Sequence, residues 1–200
     1  MKKQIAVFML AVCVAAACSL SARQAAKPGP LPSNGTYANS EAKLMADFKA
    51  KVTDYVKMRS KLGTTTPALK QTDHPAEINA AEQALAQKIR EARPQAKRGD
   101  FFTPATAALF ERLMAPAVNG PEGRENTAAV ADDNPERVPF KVNGDYPKRE
   151  TISTVPPDIL RALPTFPEDA QIQYRFVGKH LILYDARSNL IMDYIFNAIP

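Results

Sequence analysis

The 200-residue sequence has no tryptophan, two histidines, two cysteines and eight glycines. Each shortage narrows the chemistry. His74 and His180 have no second histidine or cysteine at ligand spacing, so no metal-ligating set is spelled out. Sparse glycine leaves no phosphate-cradling loop, and no serine stands in the strand–turn–helix setting of a nucleophile elbow. The reading therefore assigns no catalytic residue, cofactor or metal. Cys13 and Cys18 both lie in or just after an apolar run near the N-terminus, so a processed chain would carry no disulfide. The formal charge of +5 includes Lys2 and Lys3 of that same leader. What remains is too small and too dispersed to point to nucleic acid.

The leader itself is informative. Two lysines, an apolar run from Ile5 to Ala17 and then small residues make a bacterial secretory signal, assigned to residues 1–21. The run is shorter than the ~20 residues of a membrane-spanning helix. Ala15-Ala16-Ala17 before Cys18 form a weak lipoprotein box, so lipidation at Cys18 is one outcome and plain cleavage after Ala17, Ser21 or Ala26 the other. Either way the expected location is the periplasm or the outer membrane, with full secretion as an alternative. Membrane association is expected only through a lipidated Cys18.

Residues 22–39 hold Pro28, Pro30, Pro32, Gly29 and Gly35 and read as a flexible tether. A helical region then spans 40–134. Ser40 opens the first helix, Gly63 caps it, and Leu44, Phe48, Val52, Tyr55, Val56 and Leu62 make its apolar stripe. Lys43, Lys49, Lys51, Lys57, Arg59 and Lys61 are placed mostly off that stripe, on a solvated face. A second helix starts near His74-Pro75, with Ile78, Ala81, Leu85, Ile89 and Ala92 facing inward, and stops at Pro94. The pair should form a hairpin. Arg98-Gly99-Asp100 matches an integrin-binding tripeptide by chance; Gly99 reads as a helix terminator and Asp100 as a turn residue. Thr103-Pro104 opens a third helix with Leu109, Phe110, Leu113 and Met114 inward, and Ala128 to Val130 suggest a short fourth.

Residues 138–200 form a proline-punctuated small β-unit. Val138 to Val142 is a strand candidate, Asn143-Gly144 a turn, and Ile159-Leu160 lie in a helical turn closed by Pro164. Gln171 to Phe196 then alternates as a three-strand meander, turning at Gly178-Lys179 and between Asp185 and Asn189. Ile172, Tyr174 and Phe176 share its buried face; Leu190, Met192, Tyr194 and Phe196 share one face of the last strand. The fold class is α+β, three or four helices followed by an antiparallel meander.

Tyr174 to Gly178, Leu181-Ile182-Leu183, Asp185, Asn189-Leu190-Ile191 and Asp193 resemble the terminal block of a group of exported bacterial proteins. Glu77 to Ile89 and Gly99 to Pro104 are similar to that group's helical region. The resemblance implies export and this order of parts; it carries no activity.

The expected function is that of a non-enzymatic interaction or structural protein of the cell envelope, its partner another macromolecule, a protein, and not nucleic acid. Its interaction surface is placed on the wet face of the meander at Arg175, Lys179 and Asp193, with an Arg175–Asp193 pair across strands. The alternative is an envelope hydrolase or small-ligand protein using paired acids: Asp132 with Asp133, Glu168 with Asp169, or Asp185 with Asp193.

Overall fold

The computed structural model describes residues 34–64, 74–132, 141–146 and 155–200. The signal segment, Cys18, the first part of the tether, Asp133 and Val138 to Phe140 lie outside them. The order is helices then strands: α1 (Asn34–Gly63), α2 (Pro75–Ala92), α3 (Pro104–Asn119), α4 (Gly123–Asp132), α5 (Pro157–Ala162), a short 3-10 turn at Glu168–Ala170, then β1 (Ile172–Val177), β2 (His180–Asp185) and β3 (Leu190–Ile195). The α+β architecture matches the sequence pattern.

The first helix begins at Asn34, earlier than Ser40 and inside the segment read as tether. Pro32 is the last proline before Gly63, and only Gly35, in the first turn, opposes the earlier start. Phe48, Val52 and Tyr55 are buried as their spacing requires. In α2 the stripe is buried only toward the C-terminal half, at Leu85, Ala86 and Ile89; Ile78 and Ala92 are exposed. Contacts run in opposite senses along the chain, Tyr55 meeting Arg93 and Lys51 meeting Asp100, as in a hairpin. Thr103 caps α3 by accepting from the Thr106 amide, and Pro104 occupies the first turn.

The strands pair β1–β2–β3, antiparallel throughout. Gly178 (φ +51°) and Lys179 make the two-residue hairpin turn, with left-handed backbone at the glycine. Asn189 (φ +53°) closes the second turn, where its side-chain Nδ2 donates to the Tyr146 carbonyl and its Oδ1 accepts from Tyr184 Oη. Phe48, Phe102, Phe110, Tyr174 and Phe166 form a continuous train of ring contacts from α1 through α3 to β1. That train ties the inner face of the sheet to the helices.

The last strand departs from simple alternation. Leu183 pairs with Asp193 while the adjacent Tyr184 pairs with Ile191, so Met192 is an extra residue, a β-bulge. Leu190 and Met192 face the helices as expected, but beyond the bulge the phase reverses and Ile195 turns inward. Tyr194, opposite Ile182, packs on the outer face with Val177, Tyr184, Ile191 and Tyr146. Of the strand expected from Val138 to Val142, only Lys141 and Val142 fall among the described residues, and they lead into a turn that Gly144 N closes on Lys141 O. The segment meets β3 through a bridge between Asp145 and Leu190, with Asn143 N donating to Ile191 O, Ile191 N to Gly144 O and Tyr146 N to Asn189 O.

Candidate functional site

Two aspartates of the meander are completely buried, and both face the helices. Asp185 ends β2 at 0% exposure. Its Oδ1 accepts from Arg59 Nη1 (2.5 Å) and the Arg187 amide (3.0 Å); its Oδ2 accepts from Tyr55 Oη (2.8 Å) and Ser188 Oγ (2.7 Å). Arg59, at 1% exposure, also donates through Nη2 to the Ala170 carbonyl (2.8 Å), while its Nε is buried with no partner among the described residues. Burial first, then the Asp185 charge, pushes the Tyr55 phenol well above its ordinary value, so it serves as a proton donor. By residue type Arg59 belongs with the solvated cations of α1. It falls one helical turn after Tyr55 and two after Val52, on the buried stripe, and a buried guanidinium requires the carboxylate it finds.

Asp193 is the second. Its Oδ2 accepts from the amides of Phe101 and Phe102 (2.8 Å each), Oδ1 accepts from Tyr194 N (2.8 Å), and the Gly99 amide spans both oxygens (3.0 and 3.1 Å). Burial raises its pKa, and the same four amides partly offset that rise. The wet-face assignment of Asp193 is therefore wrong, and so is its pairing with Arg175. Straight alternation would put Asp193 on Arg175's face; the bulge at Met192 turns it inward. Nor do Asp185 and Asp193 act as a pair, because each is consumed by its own set of donors. Gly99 does not terminate α2, which ends at Ala92 with Arg93 as its cap. Its left-handed backbone (φ +92°) instead aims its amide at Asp193. Asp100 is the turn residue expected, accepting from Lys97 N and Arg93 Nη2.

By fixing residues 99 to 102, Asp193 also fixes Arg98. The Arg98 guanidinium lies 5.1 Å from the Phe196 ring centroid and 5.9 Å from that of Tyr194. Phe196 meets Tyr194 (5.2 Å) and His180 (4.7 Å) edge-on, and is 48% exposed. Asn197 N donates to His180 Nδ1, anchoring the chain past β3. Lys179 is exposed at the adjacent hairpin turn. The result is an exposed aromatic surface rimmed by cations and built on rigid backbone. Arg175 lies elsewhere on the outer face, half-buried, stacked over Tyr184 (4.8 Å) and Tyr146 (5.4 Å) and donating to Gln173. Of the three residues assigned to the interaction surface, Lys179 alone stands at this exposed end. Arg98 and Phe196 were missed; only the reversed phase of β3 shows that Phe196 faces out.

The acidic pairs fare differently. Glu168 and Asp169 are exposed in the 3-10 turn before β1, and Asp133 lies outside the described residues. A separate acidic cleft of about 680 Å³ is lined by Glu122, Glu125, Asn126, Asp158 and Arg161, among others. Arg161 pairs with Asp158 there and, with Glu122 and Asn126, holds the Asp158 carboxyl below its usual range. No described helix is long and apolar enough to cross a membrane. No protein-family model, curated protein or solved structure matches the chain.

Proposed function

We propose that the chain is an exported, non-enzymatic interaction protein of the bacterial cell envelope that engages a partner protein through the surface of Arg98, Lys179, His180, Tyr194 and Phe196. The observation that carries this reading is the exposed Phe196 ring, held between Tyr194 and His180 under Arg98. Aromatic and arginine side chains presented on a rigid base are the residue types that dominate protein interfaces. The buried acids support it by what they do: Asp193 spends its lone pairs on the loop that carries Arg98. The N-terminal lysine–apolar–small pattern supports export to the periplasm, with anchoring at the outer membrane where Cys18 is acylated.

A photo-cross-linking residue at position 196 in the native host tests the reading. The expected result is a discrete adduct that disappears with Arg98→Ala and is absent with the cross-linker at exposed Gln87. No adduct, or the same adducts from both positions, would contradict it. A second reading, a small-ligand or hydrolytic site, draws on the acidic cleft of Glu122, Glu125 and Asp158. It predicts a cationic ligand whose binding is lost with Glu125→Gln while cross-linking at 196 is unchanged.

A further inference from the structure

A second concave region lies where the end of α2 faces the turn at 141–145. Arg90, Arg93, Pro94, Ala96, Lys141 and Asn143 are among the residues that line a cleft of about 430 Å³. Three of its lining side chains are cations and one, Asp145, is an acid. Arg90 lies in the last turn of α2 and Arg93 is its C-terminal cap, and both reach Asn143.

Asn143 holds both. Its backbone is left-handed (φ +58°), its amide is fixed by the Ile191 carbonyl (2.8 Å), and its side-chain amide donates to the Arg93 carbonyl at the end of α2 (3.1 Å). Its main-chain carbonyl accepts from Arg90 Nε (2.9 Å) and its side-chain carbonyl from Arg93 Nη1 (3.3 Å). Gly144 closes the turn onto Lys141 O, where a Cβ would meet that oxygen at 2.9 Å, so the turn admits little change. The Arg93 guanidinium also lies over the adjoining rings of Tyr55 (5.3 Å) and Phe101 (5.1 Å).

These acceptors orient the guanidinium groups, and each arginine also has a carboxylate partner, so with Lys141 three cations stand against two acids. Neutral carbonyls take the bonds at Asn143. The carboxylates are Asp145, which is 63% exposed and takes Arg90 Nη2 at 2.7 Å, and Asp100, which stands 3.4 Å from Arg93 Nη2. Lys141 is exposed on the opposite wall. Pre-oriented forked donors beside a point charge are the arrangement that recognises a phosphoryl group. The negative end of the α2 dipole accounts for some of the attraction for arginine here, but it does not account for Lys141 across the cleft.

We infer that this cleft between α2 and the 141–145 turn binds a phosphate-bearing anion, with Arg90, Arg93 and Lys141 as its contacts. The occupant is a free phosphate compound or the headgroup of an anionic phospholipid, which share the recognised group.

The test is an NMR titration of the processed chain with inorganic phosphate at constant ionic strength, followed at the amides of Ala96, Val142 and Gly144. Saturable shifts are expected there. Arg90→Lys keeps the charge but loses the fork, and should weaken binding about tenfold. Lys141→Gln breaks no side-chain bond among the described residues and should weaken it several-fold with the same thermal unfolding midpoint. In a parallel arm, sedimentation with phosphatidylglycerol vesicles against phosphatidylcholine vesicles separates the sources. Vesicle binding that inorganic phosphate competes away assigns the headgroup, and phosphate binding without vesicle binding assigns a free compound. Shifts spread over all lysines, no saturation, or unchanged affinity in both Arg90→Lys and Lys141→Gln would overturn the site.

Discussion

Asp185 and Asp193 sit eight residues apart on the same face of the same small sheet, yet they do different work. Asp185 is met by side chains: a guanidinium and a phenol from α1, and a serine from its own turn. It joins distant parts of the chain through one buried charge pair. Asp193 is met by backbone amides, three of them from the loop before α3. It shapes one loop, and through that loop a surface. The comparison teaches that burial of an acid does not by itself mark an active site; the identity of its donors says whether it braces the fold or positions a surface.

The largest effect should come from breaking the first arrangement alone. Asp185→Ala leaves Arg59 buried without its counter-charge and should cost about 3–5 kcal/mol in urea unfolding. Replacing both partners, Arg59→Met with Asp185→Leu, should recover most of that loss, since apolar groups of similar size need no compensation. If the double variant is as unstable as the single, the pair is not the source of the cost. Asp193→Ala should cost less, about 2–3 kcal/mol, because it strands amides rather than a full charge. Its loss should be concentrated in residues 99–102, and cross-linking from position 196 should fall with it, whereas the Asp185 double variant should leave that cross-linking intact.

Proton linkage separates the two further. The folded-state pKa of Asp193 is raised by burial above its ordinary 3.8. Folded protein then holds a proton that the unfolded chain has released, so this group's stabilisation is fully present below the unfolded pKa and is lost as pH rises through the folded one. Wild type should therefore lose stability relative to Asp193→Asn as pH climbs from about 3.8. A relative gain over that window would reverse the account of Asp193. The smallest stability effect belongs to the surface: Phe196→Ala and Arg98→Ala should each change unfolding by less than about 0.5 kcal/mol, while Arg98→Ala abolishes the adduct formed from position 196. A large loss of stability from either would make the aromatic cluster part of the core.

Much of the frame was legible in the residues. The stripe of Phe48, Val52 and Tyr55, the Thr103-Pro104 helix start, and the turns at Gly178 and Asn189 all follow from local periodicity and backbone preference. Arg59 was legible in part: its spacing from Tyr55 places it on the buried stripe, but its residue type argued for solvent, and only the distant Asp185 resolves that conflict. The inward turn of Asp193 was not legible. A bulge depends on how two strands pair, and the alternation of β3 looks continuous until the Leu183–Asp193 and Tyr184–Ile191 pairs are known. The same extra residue hid the outward turn of Phe196. The Asn143 turn was visible, yet its hold on Arg90 and Arg93 joins residues some fifty positions apart.

The central claim is that bulge-directed Asp193 builds the loop under the exposed aromatic surface. Amide hydrogen exchange at Gly99, Phe101 and Phe102 tests it most directly, comparing wild type with Asp193→Ala under native conditions. The account predicts strong protection at all three amides in wild type and its selective loss in the variant, with Leu85 and Ile89 of α2 still protected. Fast exchange of those three amides in wild type, or equal protection in the variant, would contradict it.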